Sequence, residues 1–91
     1  MIEITKYTRI GKGSIVGKFD IIIPKWGGFY IRDMILFQKG NAKWIGFPSK
    51  QYESEGQKKY FNYNGFKENT MLDAFQSQVM KALETHSKND L

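Results

Sequence analysis

The sequence predicts an α+β domain: an antiparallel sheet of four to five strands followed by one C-terminal helix. Three observations carry this. From Ile2 to Tyr63, short runs rich in β-branched and aromatic residues alternate apolar with polar positions. Turn signals containing glycine separate the runs, Gly40-Asn41 being the strongest. Leu72, Phe75, Val79 and Leu83 then step by three, four and four, the spacing of a helical stripe.

The first strand runs from Ile2 to Arg9, with Ile2 and Ile4 on one face, joined by Tyr7 or Ile10. Gly11-Lys12-Gly13-Ser14 reads as a plain turn, since the spacing of a phosphate-cradling loop is absent. The second strand, Ile15 to Pro24, turns Phe19, Ile21 and Ile23 to the core. Pro24-Lys25-Trp26-Gly27-Gly28 is a turn by composition, and folding of Trp26 back over the core end is slightly favoured over outward display. The central hairpin follows. Strict alternation places Phe29, Ile31, Ile35 and Phe37 on one face, interrupted by Asp33, and Tyr30, Arg32, Met34, Leu36 and Gln38 on the other. After the turn, Trp44 and Gly46 oppose Ile45 and Phe47, and Pro48 ends the strand.

QYESEGQKK reads as a polar loop centred on Gly56. A fifth strand covers Lys58 to Tyr63, with Lys59, Phe61 and Tyr63 on one face and Lys58, Tyr60 and Asn62 on the other. Asn64-Gly65 is a further turn. The helix is expected over Met71 to Thr85, capped by Thr70 with Asp73 as its capping partner. Met71, Met80 and Ala82 widen its apolar stripe, and Gln76, Ser77, Lys81 and Glu84 form its wet face. Lys81 and His86 suit the negative end of the helix dipole. The tail from Ser87 to Leu91 is expected to fray.

Residues 1–91 fit one domain with a modest core, which oligomerisation would help to cover. One four-turn helix cannot cover five strands, so a homodimer is expected. Fourteen Lys/Arg against nine Asp/Glu give a net charge of +5, which favours polyanionic partners. Aromatics reach 15%, and this excess over ordinary composition is what makes the charge informative. The absence of cysteine excludes a disulfide framework, a thiolate zinc site and a cysteine nucleophile. No signal-peptide pattern opens the chain and no run approaches a membrane span, so a cytoplasmic protein with no membrane contact is expected.

No catalytic signature is present, so no enzyme and no cofactor are expected. A lone His86 reads as a surface histidine. Asp33 reads as a structural acid that pairs with a basic group or backbone donor, or that marks an edge or bulge. What the chain does offer is interleaved cations and rings: Lys25-Trp26, Tyr30 with Arg32, Lys43-Trp44, Lys50 with Tyr52, and Lys58-Lys59-Tyr60. Cations neutralise phosphates and ring faces stack on bases, so this mixture points to nucleic acid. The candidate contact residues are Lys25, Trp26, Tyr30, Arg32, Lys43, Lys50, Lys58, Lys59 and Tyr60, with Trp44 a weaker stacking candidate. Alternation forbids all of them from sharing one face.

Phe29-Tyr30-Ile31-Arg32-Asp33-Met34 and Trp44-Ile45-Gly46-Phe47-Pro48-Ser49-Lys50, with the opening Ile2-Glu3-Ile4-Thr5, resemble the SpoVG family of small bacterial septation and regulatory proteins. The resemblance covers residues 2–50 and implies a dimeric, sheet-based DNA-binding regulator. In that family DNA binding is associated with basic residues toward the C-terminal helix, where this chain has only Lys81 and Lys88. The turn at Trp26, the Tyr60-Phe61-Asn62-Tyr63 strand and the longer polar loop depart from the pattern. In outline the chain is also similar to single-strand-binding transcriptional coactivators of the whirly type, an analogy of architecture. The expected partner is therefore DNA, single-stranded in preference to duplex, because the helix offers few cations while strands and turns carry the lysines and rings. The alternative from another class is a protein-interaction or inhibitor module that uses the same apolar and aromatic sheet face.

Overall fold

The computed structural model describes residues 2–89. It is an α+β fold in two layers, a four-stranded antiparallel sheet with one C-terminal helix across it, and a second, two-stranded sheet beside them. The large sheet is a meander in the order β1-β2-β3-β4, with β1 Glu3–Lys12, β2 Ile15–Ile23, β3 Phe29–Lys39 and β4 Ala42–Gly46. Its connections are short. Gly13-Ser14 alone turns β1 into β2, so Gly11 and Lys12 belong to the strand rather than to a loop. Gly40-Asn41 joins β3 to β4, and only Gly40 takes positive φ (61°).

The polar segment after Pro48 is not a loop. It is a second hairpin, β5 Ser49–Ser54 and β6 Gln57–Asn62, turned by Glu55 (φ 54°) and Gly56 (φ 76°). Two successive positive-φ residues match the right-handed twist of the strands they join. The hairpin carries little buried apolar surface, so the hydrophobic alternation that marks a strand is weak there.

The helix, α1, spans Asn69–Asn89, longer than the stripe alone suggested. Thr70 lies inside it and does not cap it; the amide of Leu72 donates to the Glu68 carbonyl at 3.2 Å, which starts the first turn earlier. Residues 87–89 are helical rather than frayed, and the last two positions of the expected tail lie outside the described residues, as does the side chain of Lys88. Phe75, Val79 and Leu83 are buried, with Leu72, Met80 and Ala82 packed beside them. Met71 is exposed, and so does not widen the stripe. Gln76 belongs to the contact surface rather than the wet face: its Oε1 accepts from the Ile45 amide at 3.4 Å. α1 touches both edge strands, β1 and β4, so it crosses the whole sheet.

The core lies between α1 and one sheet face: Ile2, Phe19, Ile21, Ile23, Met34, Ile45 and Phe47 against Phe75, Val79 and Leu83. Phe75 lies parallel to Phe47, centroids 5.6 Å apart, and Phe66 closes over both. Tyr7 joins this layer and Ile10 is exposed. Asp33 explains a difference in β3. It sits at φ 61°, and the pairing with β2 jumps there, from Phe19↔Met34 to Ile21↔Ile31. The extra residue is a bulge that reverses the alternation. Ile31, Met34 and Leu36 therefore pack toward the helix. By the same register, Tyr30, Ile35 and Phe37 lie on the opposite, open face. The bulge is held by the Asp20 carboxylate, whose Oδ1 accepts from the Asp33 amide at 3.0 Å.

Candidate nucleic-acid interface

The β5–β6 hairpin sorts its side chains by register. Lys50 pairs with Phe61 and Tyr52 with Lys59, placing these four on one face; Gln51 pairs with Tyr60 and Glu53 with Lys58 on the other. The first face is a checkerboard of cations and rings. Tyr52 is 44% exposed and Phe61 60% exposed, and Tyr63, just beyond β6, meets Phe61 edge-on at 6.2 Å. An isolated two-stranded ribbon is marginal in water. Here the Tyr63 amide donates to the Pro48 carbonyl at 3.1 Å, which extends the ribbon's ladder by one rung at its base. Its aromatic residues do not contribute to the core.

A second aromatic and basic region lies at the turn between β2 and β3. Pro24–Trp26 forms one 3-10 turn, closed by the Gly27 amide on the Pro24 carbonyl at 3.1 Å. Trp26 does not fold back over the core: it is 60% exposed and leans on Phe29 at 6.1 Å. Lys25 is exposed beside it. Tyr30 carries the Arg32 guanidinium over its ring at 4.8 Å, which holds the cation in place. Arg32 also borders a cleft at the bulge with Lys6 and Lys18, where Asp20 and Asp33 offset part of the charge.

The nine contact residues read from sequence therefore fall into separate groups. Lys50 and Lys59 share the outer face of the hairpin; Lys58 and Tyr60 share its other face. Lys25 and Trp26 stand on the turn, and Tyr30 and Arg32 on the open sheet face. Lys43 lies on the helix side of the sheet, bordering a cleft with Asp73, Gln76 and Lys81, apart from the rest. Tyr52, Phe61, Tyr63, Lys6 and Lys18 extend these groups. The first three follow from sequence once Glu55-Gly56 is taken as a turn; Lys6 and Lys18 carry no local signal, because only cross-strand register brings them to Arg32.

Trp44 is part of the open face, stacked parallel on Phe37 at 5.4 Å. Phe37 lies over Gly46, so closely that a Cβ on Gly46 would come within 2.6 Å of its ring. Between β4, the hairpin and α1 lies a cleft of about 380 Å³, bordered by Phe37, Tyr60 and Asn62. A larger cleft, about 750 Å³, separates β1 from α1, and none of the nine residues lines it. His86 borders that cleft half-buried, its ring 6.3 Å from Tyr7, and is not a free surface histidine. No helix among the described residues is long and apolar enough to cross a membrane.

No protein-family model matches this chain, and no curated protein and no solved structure matches it significantly. Fold and surface together define a small α+β protein with a projecting, aromatic and basic β-ribbon.

Proposed function

We propose that this chain is a small cytoplasmic DNA-binding regulator that acts as a homodimer and holds single strands in preference to duplex. The observation that carries this is the outer face of the β5–β6 hairpin, where Lys50, Tyr52, Lys59 and Phe61 alternate and the two rings stand in solvent. Rings presented this way stack on successive bases, and the lysines between them meet phosphates. A duplex offers no base faces to such a ribbon. The helix gives no better duplex reader, because Phe75, Val79 and Leu83 commit one side of it to the sheet. The SpoVG-like stretches, on β3, β4 and the start of β5, support a regulatory role of the kind that family performs.

The open sheet face supports the dimer. Ile22 and Trp44 lie there with no helix over them, and a second copy would cover them. That face also supports the rival, a protein-interaction module, since it is apolar and carries few cations near Trp44.

Competition between a single-stranded oligonucleotide and its own duplex, at matched salt, tests the function. Single-strand preference and an affinity that falls steeply with salt are expected. Tighter duplex binding returns the chain to a double-strand regulator, and no binding at low salt favours the protein-interaction module. Sedimentation at micromolar concentration tests the dimer, and a clean 10.6 kDa species overturns it.

A further inference from the structure

The cleft between β4, the β5–β6 hairpin and α1 has a composition unlike the other clefts. Phe37 and Tyr60 stand in its walls with the aliphatic Ile15. Ser49, Asn62 and Gln76 bring a hydroxyl and two carboxamides to the same space. At about 380 Å³ it falls at the small end of ligand clefts, which run from roughly 300 to 1,000 Å³. A planar, heteroaromatic ligand fits this mixture. Rings and aliphatic groups take its faces, and carboxamides, each with both a donor and an acceptor end, match the edge of a base. Gln76 is already oriented: its Oε1 accepts from the Ile45 amide at 3.4 Å, which leaves its NH2 group as the donor.

The lining of the cleft itself is uncharged. Tyr60 lies on the inner face of the hairpin with Lys58, next to its neighbour across the ribbon, Glu53. The cleft lies on the side of the ribbon away from Phe61 and Tyr52, so a strand that stacks on the outer face reaches it by rounding the ribbon's edge. We infer that this cleft receives one unstacked base of a bound single strand, with Phe37 and Tyr60 as its walls and Asn62 and Gln76 reading its edge. The inference rests on the single-strand function proposed above and adds to it a base preference, which stacking on an open ribbon does not supply. An exposed ribbon accepts every base; a cleft with fixed carboxamides does not.

The test uses the full chain and homopolymeric single strands of equal length (dA, dC and dT) at one salt concentration. The wild type is expected to prefer one base. Asn62→Ala, at a position exposed on the ribbon and outside the core, is expected to lower affinity for the preferred strand roughly three- to tenfold, the value of about one hydrogen bond, and to bring the three affinities together. Phe61→Ala, on the outer face, is expected to weaken all three alike. Titration with the matching nucleoside monophosphate, followed by NMR, is expected to move the amides of Ser49, Asn62 and Gln76. Equal binding of all three strands, unchanged in Asn62→Ala, overturns the cleft and leaves single-strand binding intact. Monophosphate shifts confined to the outer face of the hairpin do the same. Failure of every strand to bind removes the DNA-binding function and the base site with it.

Discussion

Gly46 is the position where one added methyl should be felt through the whole open face. Its Cβ would stand 2.6 Å from Phe37 Cε2 and 3.5 Å from Cζ. Ordinary carbon contacts lie near 3.5–4.0 Å, so the nearer approach is about 1 Å too short. The obstructing atom belongs to a side chain, and the ring can tilt away. Tilting breaks the parallel stack with Trp44, now 5.4 Å apart and 9° from coplanar. A ring pair of this kind contributes about 0.5–1.5 kcal/mol, and overpacking typically costs about 1–3 kcal/mol. The two overlap, because tilting is how the strain is relieved. Gly46→Ala should therefore destabilise by about 1–3 kcal/mol. In a domain of this size each kcal/mol lowers Tm by about 4–8 °C, so a fall of roughly 4–24 °C is expected. Thermal unfolding by far-UV circular dichroism measures it, and the near-UV spectrum of a Trp26→Phe background isolates Trp44. Adding Phe37→Leu to Gly46→Ala should recover part of the loss by removing the obstructing ring. An unchanged Tm together with an unchanged near-UV signal would refute the close approach.

Other perturbations test the joint, the bulge and the ribbon. Phe75→Ala removes the ring that lies on Phe47 and Phe66, and should cost about 3–5 kcal/mol in urea unfolding. Asp20→Ala deprives the Asp33 amide of its acceptor and should cost about 1 kcal/mol, with faster hydrogen exchange at that amide; Asp20→Asn keeps an acceptor and should lose less. On the hairpin, Phe61→Ala should weaken single-strand binding by about 1–3 kcal/mol without altering its salt dependence. Lys59→Gln should reduce the slope of log K against log salt by about 0.7, the share of one phosphate contact on a single strand; the opposite assignment of these two effects would show that the ribbon does not bind as described.

The first half of the chain was legible because its strands bury one face. Phe19, Ile21 and Ile23 alternate cleanly, and all three are in the core. Gly40-Asn41 names its own turn, and the three-four-four steps from Leu72 name the buried side of α1. The hairpin after Pro48 was half legible. The alternation of Lys59, Phe61 and Tyr63 against Lys58, Tyr60 and Asn62 agrees with the register of β6. Its partner β5 was hidden, because Gln51, Glu53 and Ser54 contribute no apolar face and a strand without one resembles a loop in sequence. Trp26 illustrates a different limit. A tryptophan in a glycine-rich turn is compatible with burial or display, and composition does not choose between them. Gln76 was misplaced because periodicity assigns a polar residue to the wet side, whereas its carboxamide serves a strand amide on β4.

The bulge at Asp33 acts as a phase shift in the middle of β3. Residues on its two sides obey opposite parity: Ile31 is an odd-numbered inward residue, Met34 and Leu36 even-numbered ones. Loss of Asp33 would restore regular pairing and leave both sets of side chains where they are: Ile31, Met34 and Leu36 inward, Ile35 and Phe37 on the open face. Regular pairing with Asp33 retained would do the opposite. With residues 29–31 kept in place, Ile35 and Phe37 would turn inward and Met34 and Leu36 out, and the Phe37–Trp44 stack would be split across the sheet. The bulge thus acts as a spacer that absorbs one surplus residue, and a strand that failed to form it would exchange the contents of the two faces without any change of composition.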